Sequence, residues 1–228
     1  MLKYLVFTLL LLVAAAVMYY AYSRYVQRGA EPSPVYAAVH GTVIIDAGHG
    51  GMDGGAVSES GTLEKELNLE ISLLLRDLLE ASGVDVILTR DEDVMLESSA
   101  RGGSKKTQDL RARLEIAEAN PDAIFVSIHM NKFPSSSVHG VQLYYSPNAE
   151  ESEKLANKIK SFVTGYLQPD NSRPLKAAGS NIYILNRIKN PAVLVECGFI
   201  SNPDEEKRLL DDGYRHMLVM TVASSILD

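Results

Sequence analysis

Residues 42–82 read TVIIDAGHGGMDGGAVSESGTLEKELNLEISLLLRDLLEAS, a β-branched run, a glycine-rich turn and a long amphipathic stretch in immediate succession. The run Thr42–Asp46 has the composition of a strand buried on both faces. From Thr62 the apolar residues recur at helical spacing. Leu63, Leu67, Ile71, Leu74 and Leu78 fall on one face, so a helix is expected from Thr62, as cap, to Ser82, with Gly83 ending it. A strand feeding a helix through a short turn is the unit of α/β architecture.

Outward from this unit the pattern repeats. Further strands are expected at Val84–Thr89, Ala123–Ile128, Val141–Tyr145, Ile182–Leu185 and Val193–Glu196. Between and after them, helices are expected at Thr107–Asn120, Ala149–Gly165, Pro203–Leu210 and Tyr214–Leu227. In the last, Leu218, Val222 and Ile226 repeat at i, i+4, the spacing of core packing. The expected fold is a single twisted, mostly parallel sheet flanked by helices, occupying residues 41–228.

Ahead of it stands YLVFTLLLLVAAAVMYYAY, Tyr4–Tyr22, without a charge, Gly or Pro. At about 1.5 Å per residue this helix matches the hydrocarbon thickness of a bilayer. Tyr19, Tyr20 and Tyr22 suit one interface. Residues 1–27 therefore read as an N-terminal hydrophobic helix, a signal-anchor that spans the membrane and exports the domain. A cleaved signal peptide is the alternative, although no clean A-x-A site follows the apolar run. Residues 28–40 read as a linker.

Composition narrows the partners. Lys3, Arg24, Arg28 and Glu31 sum to +2 in the first 35 residues, so the remainder of this chain of net charge -7 carries -9. A body so acidic repels phosphate backbones, which argues against nucleic acid. The single cysteine, Cys197, leaves no disulfide framework and no Cys-rich metal site, and reads as a small core residue.

Polar residues that carry chemistry fall at expected strand ends: His49 after Val-Ile-Ile-Asp, His129 after Phe-Val-Ser-Ile, and Glu196 closing Val-Leu-Val. In open α/β sheets that edge is where ligands bind. The glycines around His49 match neither a dinucleotide fingerprint nor a P-loop. Each residue has an unremarkable alternative. A histidine after a strand is commonly a loop residue, Glu64 in a first helical turn is favoured by the helix dipole alone, and Glu196 could pair with a basic side chain. Two histidines and one glutamate are nevertheless a known catalytic zinc set. A second carboxylate outside the set would serve as general base. The same donors also suit non-haem iron.

At these residues the sequence resembles a family. The run Ile44–Ala56 (IIDAGHGGMDGGA) is similar to the opening motif of the zinc-dependent N-acetylmuramoyl-L-alanine amidases of the LytC/AmiC type. The similarity continues through Glu64–Leu69 (EKELNL), Leu88–Arg90 (LTR), Leu110–Ala117 (LRARLEIA), Ser127–Asn131 (SIHMN) and Val195–Asn202 (VECGFISN). The stretch Gly102–Leu110 (GGSKKTQDL), the small domain and the hydrophobic N-terminus most resemble the CwlD-type amidases that act on spore cortex. The resemblance implies one zinc ion per chain held by His49, Glu64 and His129, with Glu196 as the catalytic carboxylate. It also implies peptidoglycan as substrate, cut between muramic acid and L-alanine on the outer side of the membrane, with room for an activating protein partner. Asn131, Arg90 and Arg113 are candidates for binding substrate, with loop-fixing and structural ion pairing as their alternatives. Asp46 is expected to orient loop backbone. His40, His139 and His216 look incidental. A zinc peptidase cutting within the stem peptide and a non-catalytic wall-binding module are the rival readings.

Overall fold

The apolar run after Gly41 forms strand β1, Thr42–Ala47, in which every residue from Val43 on is buried. The computed structural model describes Met18, Tyr19 and residues 41–228. The membrane anchor expected over residues 1–27 and the linker over 28–40 lie outside the described residues, apart from the helical pair Met18 and Tyr19. Among the described residues no helix is long and apolar enough to cross a membrane.

Helix α1 (Glu64–Ala81) follows β1. Strand β2 (Asp85–Leu88) and helix α2 (Lys105–Glu118) come next, then strands β3 (Ile124–Asn131) and β4 (Gln142–Tyr145). Helix α3 (Glu150–Phe162) runs into a π-helical turn at Val163–Leu167. Strands β5 (Lys176–Ala177) and β6 (Ala192–Phe199) and helices α4 (Pro203–Leu209) and α5 (Asp212–Leu227) complete the domain.

The six strands form one sheet in the order β2-β1-β3-β6-β4-β5. β1 pairs in parallel with β2 and β3, and β3 with β6. β4 returns antiparallel to β6, and β5 lies parallel to β4 at the edge. Strand alternation sends successive side chains to opposite faces. Val43, Ile45, Val126, Ile128, Val193 and Val195 meet α1, α3 and α5 through residues such as Leu75, Ile159 and Val222. Ile44, Phe125 and Leu194 meet Ala117 of α2 and the segment containing Ile184, Leu185 and Ile188.

Three expectations are corrected. Residues 182–185 form turns and not a strand, because their amides bond locally: Ile182 N donates to Gly179 O and Ile188 N to Ile184 O. The two residues of β5 take the sheet edge instead. Thr62 does not cap α1. The N-cap is Leu63, which makes no side-chain cap, while Thr62 Oγ1 donates to Glu206 Oε1 at 2.6 Å. The buried face of α1 keeps Leu67 and Ile71 but is completed by Leu75 and Leu79, with the expected Leu74 and Leu78 packed on its flank.

Candidate metal and catalytic site

β1 stops at Ala47, and the Gly48 amide donates to Ile128 O at 3.1 Å, which ties the following turn to β3. His49 then adopts φ 60°, the one non-glycine residue at positive φ among the described residues. Such a backbone costs about 1 kcal/mol or more and persists only where its surroundings hold it. Two buried arginines do so. Arg90 Nε donates to Ala47 O and His49 O at 2.9 and 2.7 Å, and its Nη2 to Gly48 O and Lys65 O at 3.0 and 2.8 Å. Arg113 Nη1 donates to Ala47 O at 2.7 Å and Nη2 to His49 O at 2.6 Å.

Those contacts favour the structural alternative for Arg90 and Arg113 over substrate binding. The two residues are only 3% and 1% exposed, and their guanidinium donors are spent on loop carbonyls and buried carboxylates. Arg113 pairs with Asp46 Oδ1 at 2.6 Å and Asp109 Oδ2 at 2.8 Å. Asp46 also accepts from Thr89 Oγ1 and Ser127 Oγ, so it anchors the base of the loop and lies outside the donor cluster. Burial pulls the Arg113 pKa down, but the Asp46 and Asp109 carboxylates outweigh it and leave it above the ordinary arginine value.

Glu64 opens α1 with its carboxylate turned back into the loop. Oε2 accepts from Ala56 N at 2.7 Å, and Oε1 accepts from Met130 N at 3.1 Å. Oε1 also lies 3.3 Å from His49 Nε2 and 2.9 Å from His129 Nδ1. One donor atom from each of the three side chains falls within 4.8 Å of the others. The imidazoles meet edge to face, centroids 5.0 Å apart. This packing needs glycine at two positions. A Cβ on Gly48 would lie 2.3 Å from His129 Nε2, and one on Gly55 would lie 2.6 Å from Glu64 Oε2 and 2.7 Å from His49 Cδ2.

The neighbours shift two of these groups, Glu64 and His49. Burial alone raises the Glu64 pKa, but hydrogen bonds from His129 and His49 outweigh it and hold the carboxyl well below its usual range. Burial alone lowers His49, and the carboxylates of Glu64 and Asp53 turn the balance upward. A cation in this cradle therefore competes with a proton for the His49 imidazole. Two imidazole nitrogens and one carboxylate oxygen, converging in space that only glycine leaves open, fit a zinc ion.

Glu196 stands apart from the cluster. Sequence places it and His129 at strand ends, whereas both lie inside strands, as register partners on β6 and β3. Its Oε2 is buried and has no hydrogen-bond partner among the described residues. Burial, reinforced by the Glu64 charge and opposed by His129 and His49, pushes its pKa up to about 7. A carboxyl so poised accepts and returns a proton near neutrality.

Asn131 closes β3. Its Oδ1 accepts from Lys132 N at 2.8 Å, and its backbone carbonyl accepts from Ile200 N, contacts that fix the loop. His139 and His216 are exposed and outside the cluster, and His40 lies outside the described residues. Cys197 is buried, and burial pushes its thiol pKa up, as suits a core residue. Asp53, which no strand-end pattern singles out, brings Oδ2 within 3.0 Å of His49 Nδ1.

Three possible ligands gathered around one point, with a separate buried carboxylate on the neighbouring strand, suit metal-assisted hydrolysis. The chain belongs to the N-acetylmuramoyl-L-alanine amidase family, whose sequence model matches residues 43–228. It is 33% identical over 187 residues to the germination-specific N-acetylmuramoyl-L-alanine amidase of Bacillus subtilis, covering 81% of this chain and 78% of that one. Among solved structures, the CwlD amidase from Clostridioides difficile, in complex with the GerS lipoprotein, matches with a TM-score of 0.77 and 37% identity over 82% of this chain and 96% of that one. The amidase AmiC2 of Nostoc punctiforme matches with a TM-score of 0.71 and 31% identity over 82% of this chain and 95% of that one.

Proposed function

We propose that this chain hydrolyses the amide bond between the lactyl group of muramic acid and L-alanine of the stem peptide, using a zinc ion held by His49, Glu64 and His129. The observation that carries the reading is the buried, unpartnered Oε2 of Glu196, on the register partner of one member of a three-donor cluster. A zinc ion in such a set supplies Lewis acidity that activates water and polarises a carbonyl. Glu196 takes a proton from the attacking water as its oxygen bonds to the lactyl carbon. The same carboxyl then gives that proton to the amide nitrogen as the carbon–nitrogen bond breaks. The products are the muramic carboxylate and a peptide with a free L-alanine amine.

The preferred substrate in this reading is spore-cortex peptidoglycan, supported by the similarity to the germination-specific amidase of Bacillus subtilis and to CwlD. The complex of the CwlD chain with a lipoprotein supports a protein partner for this chain too. Tyr4–Tyr22 supports anchoring in the membrane, with the catalytic domain outside the cytoplasm.

The test is incubation of the purified full chain with cortex and vegetative peptidoglycan, followed by mass spectrometry of the products. Release of stem peptides with a free N-terminal L-alanine, leaving intact muramic carboxylate, is expected. Cleavage within the stem would establish the peptidase reading, and binding without any cleavage would establish a wall-binding module.

A further inference from the structure

The stretch Gly102–Leu110 reaches the metal loop through one side chain. Ser104 caps α2 by accepting from Thr107 N at 3.2 Å, which sets Lys106 in the first turn. Lys106 Nζ lies 3.1 Å from Asp53 Oδ2, the same oxygen that approaches His49 Nδ1 at 3.0 Å. Two backbone hydrogen bonds between Gly50 and Asp53, at 2.9 and 3.0 Å, close the intervening turn and bring residue 53 back against His49. Asp53 Oδ1 accepts from Gly55 N at 3.2 Å, so the carboxylate is held on both oxygens.

The other face of the imidazole points to the donor cluster: His49 Nε2 is the atom 3.3 Å from Glu64 Oε1. Nδ1 is buried and has no well-aligned hydrogen-bond acceptor among the described residues. The Asp53 carboxylate is the group facing it, approaching off the ring-nitrogen axis. A histidine that ligates through one nitrogen almost always donates its other N–H to a carboxylate, carbonyl or water, which fixes tautomer and ring orientation.

We propose that Asp53, braced by Lys106, is a positioning residue that accepts the Nδ1 proton of His49 and so presents Nε2 for metal binding. The inference rests on the ligand set of the proposed function. It also gives the Gly102–Leu110 stretch a role in the site, since Lys106 holds the Asp53 carboxylate in place from the far side.

The experiment is a chelator-competition measurement of zinc affinity on the full chain, for the parent, His49→Ala, Asp53→Asn and Lys106→Met. Asp53→Asn is expected to bind zinc roughly 10- to 100-fold more weakly than the parent, with its metal-free thermal midpoint unchanged. Lys106 is 61% exposed, so Lys106→Met is expected to weaken binding by at most roughly five-fold. Nitrogen NMR of the zinc-bound parent is expected to show His49 coordinated through Nε2 and protonated at Nδ1, and it decides the matter if Asp53→Asn proves unstable. Coordination through Nδ1, or parent-like affinity in Asp53→Asn, overturns the positioning role while leaving the ligand set intact. Parent-like affinity in His49→Ala overturns the ligand set and this inference with it.

Discussion

His129 and Glu196 are register partners on β3 and β6, and the two strands slip out of register immediately beyond them. Partners on adjacent strands project from the same face. The strand pairing itself therefore places the proposed proton acceptor beside the proposed metal ligand, without help from any loop.

That placement makes the roles of Glu196 and Glu64 separable. Glu196→Gln keeps size and shape but removes the proton acceptor. Activity is expected to fall roughly 10²- to 10⁴-fold, with zinc content unchanged. Glu64→Gln is expected to lower zinc content and activity together, because Glu64 Oε1 is the atom both imidazoles approach. Metal stoichiometry and peptide release, measured in parallel on both variants, check this. Loss of zinc from Glu196→Gln, or parent-like turnover in it, would refute the division of labour.

Gly48→Ala tests the space around the cluster. The added methyl would sit 2.3 Å from both Cε1 and Nε2 of His129, so the ring must move. Gly48 is not among the residues with positive φ, and its backbone accepts alanine without strain. A misplacement of about 1 Å can cost roughly 10²-fold in rate. The expected result is a folded protein with reduced zinc occupancy and turnover at or below that level. Parent-like occupancy and turnover would show that the site tolerates a different His129 rotamer.

The proposed anchor can be tested separately. The exported chain is expected to keep residues 1–27 and to sediment with membranes until detergent is added. N-terminal sequencing checks it. A mature terminus between Ala16 and Arg28 would replace the anchor with a cleaved signal peptide and a secreted enzyme.

The sheet was largely legible in sequence because its central strands are continuous apolar runs, as at Val43–Ile45 and Val193–Val195. The same property hid how far β3 and β6 extend. Polarity at His129 and Glu196 reads as a strand end, yet both strands continue through those residues to Asn131 and Phe199. Ile182–Leu185 misled for the opposite reason. Ile184 and Leu185 are buried, and Ile182 and Tyr183 half-buried, from a series of turns, and hydrophobicity over four residues does not distinguish the two. In the site, the family motif singled out His49, Glu64, His129 and Glu196. Arg90 and Arg113 carry charge that suits a substrate carboxylate equally well in sequence. Only their burial and the carbonyls they meet separate the roles. Asp53 was hidden because its significance depends on how a glycine turn folds back.

Arg113 and Asp46 form a 2.6 Å ion pair beneath the metal loop. Removing one partner of a buried pair leaves the other uncompensated, at a typical cost of roughly 3–5 kcal/mol. Arg113→Met also removes one of the two arginine contacts to the carbonyls of Ala47 and His49, leaving Arg90 alone to hold them, so zinc affinity is expected to fall with stability. The pH dependence distinguishes this cause from simple loss of packing. In the parent, burial pushes the Asp46 pKa up, but Arg113 and the Ser127 hydroxyl outweigh it, leaving it below its ordinary value of 3.8. A carboxyl depressed on folding contributes stability that is present above the unfolded value and lost as pH falls through the folded one. Without Arg113 only the Ser127 hydroxyl and His129 oppose burial, and the carboxyl is expected to sit above its unfolded value. The destabilisation is then largest at neutral pH and relieved as pH falls through the raised pKa. Urea unfolding of both metal-free proteins, from neutrality to about pH 3, should show the gap between them narrowing with acid. A gap that stays constant would mean that the Asp46 charge is not what Arg113 stabilises.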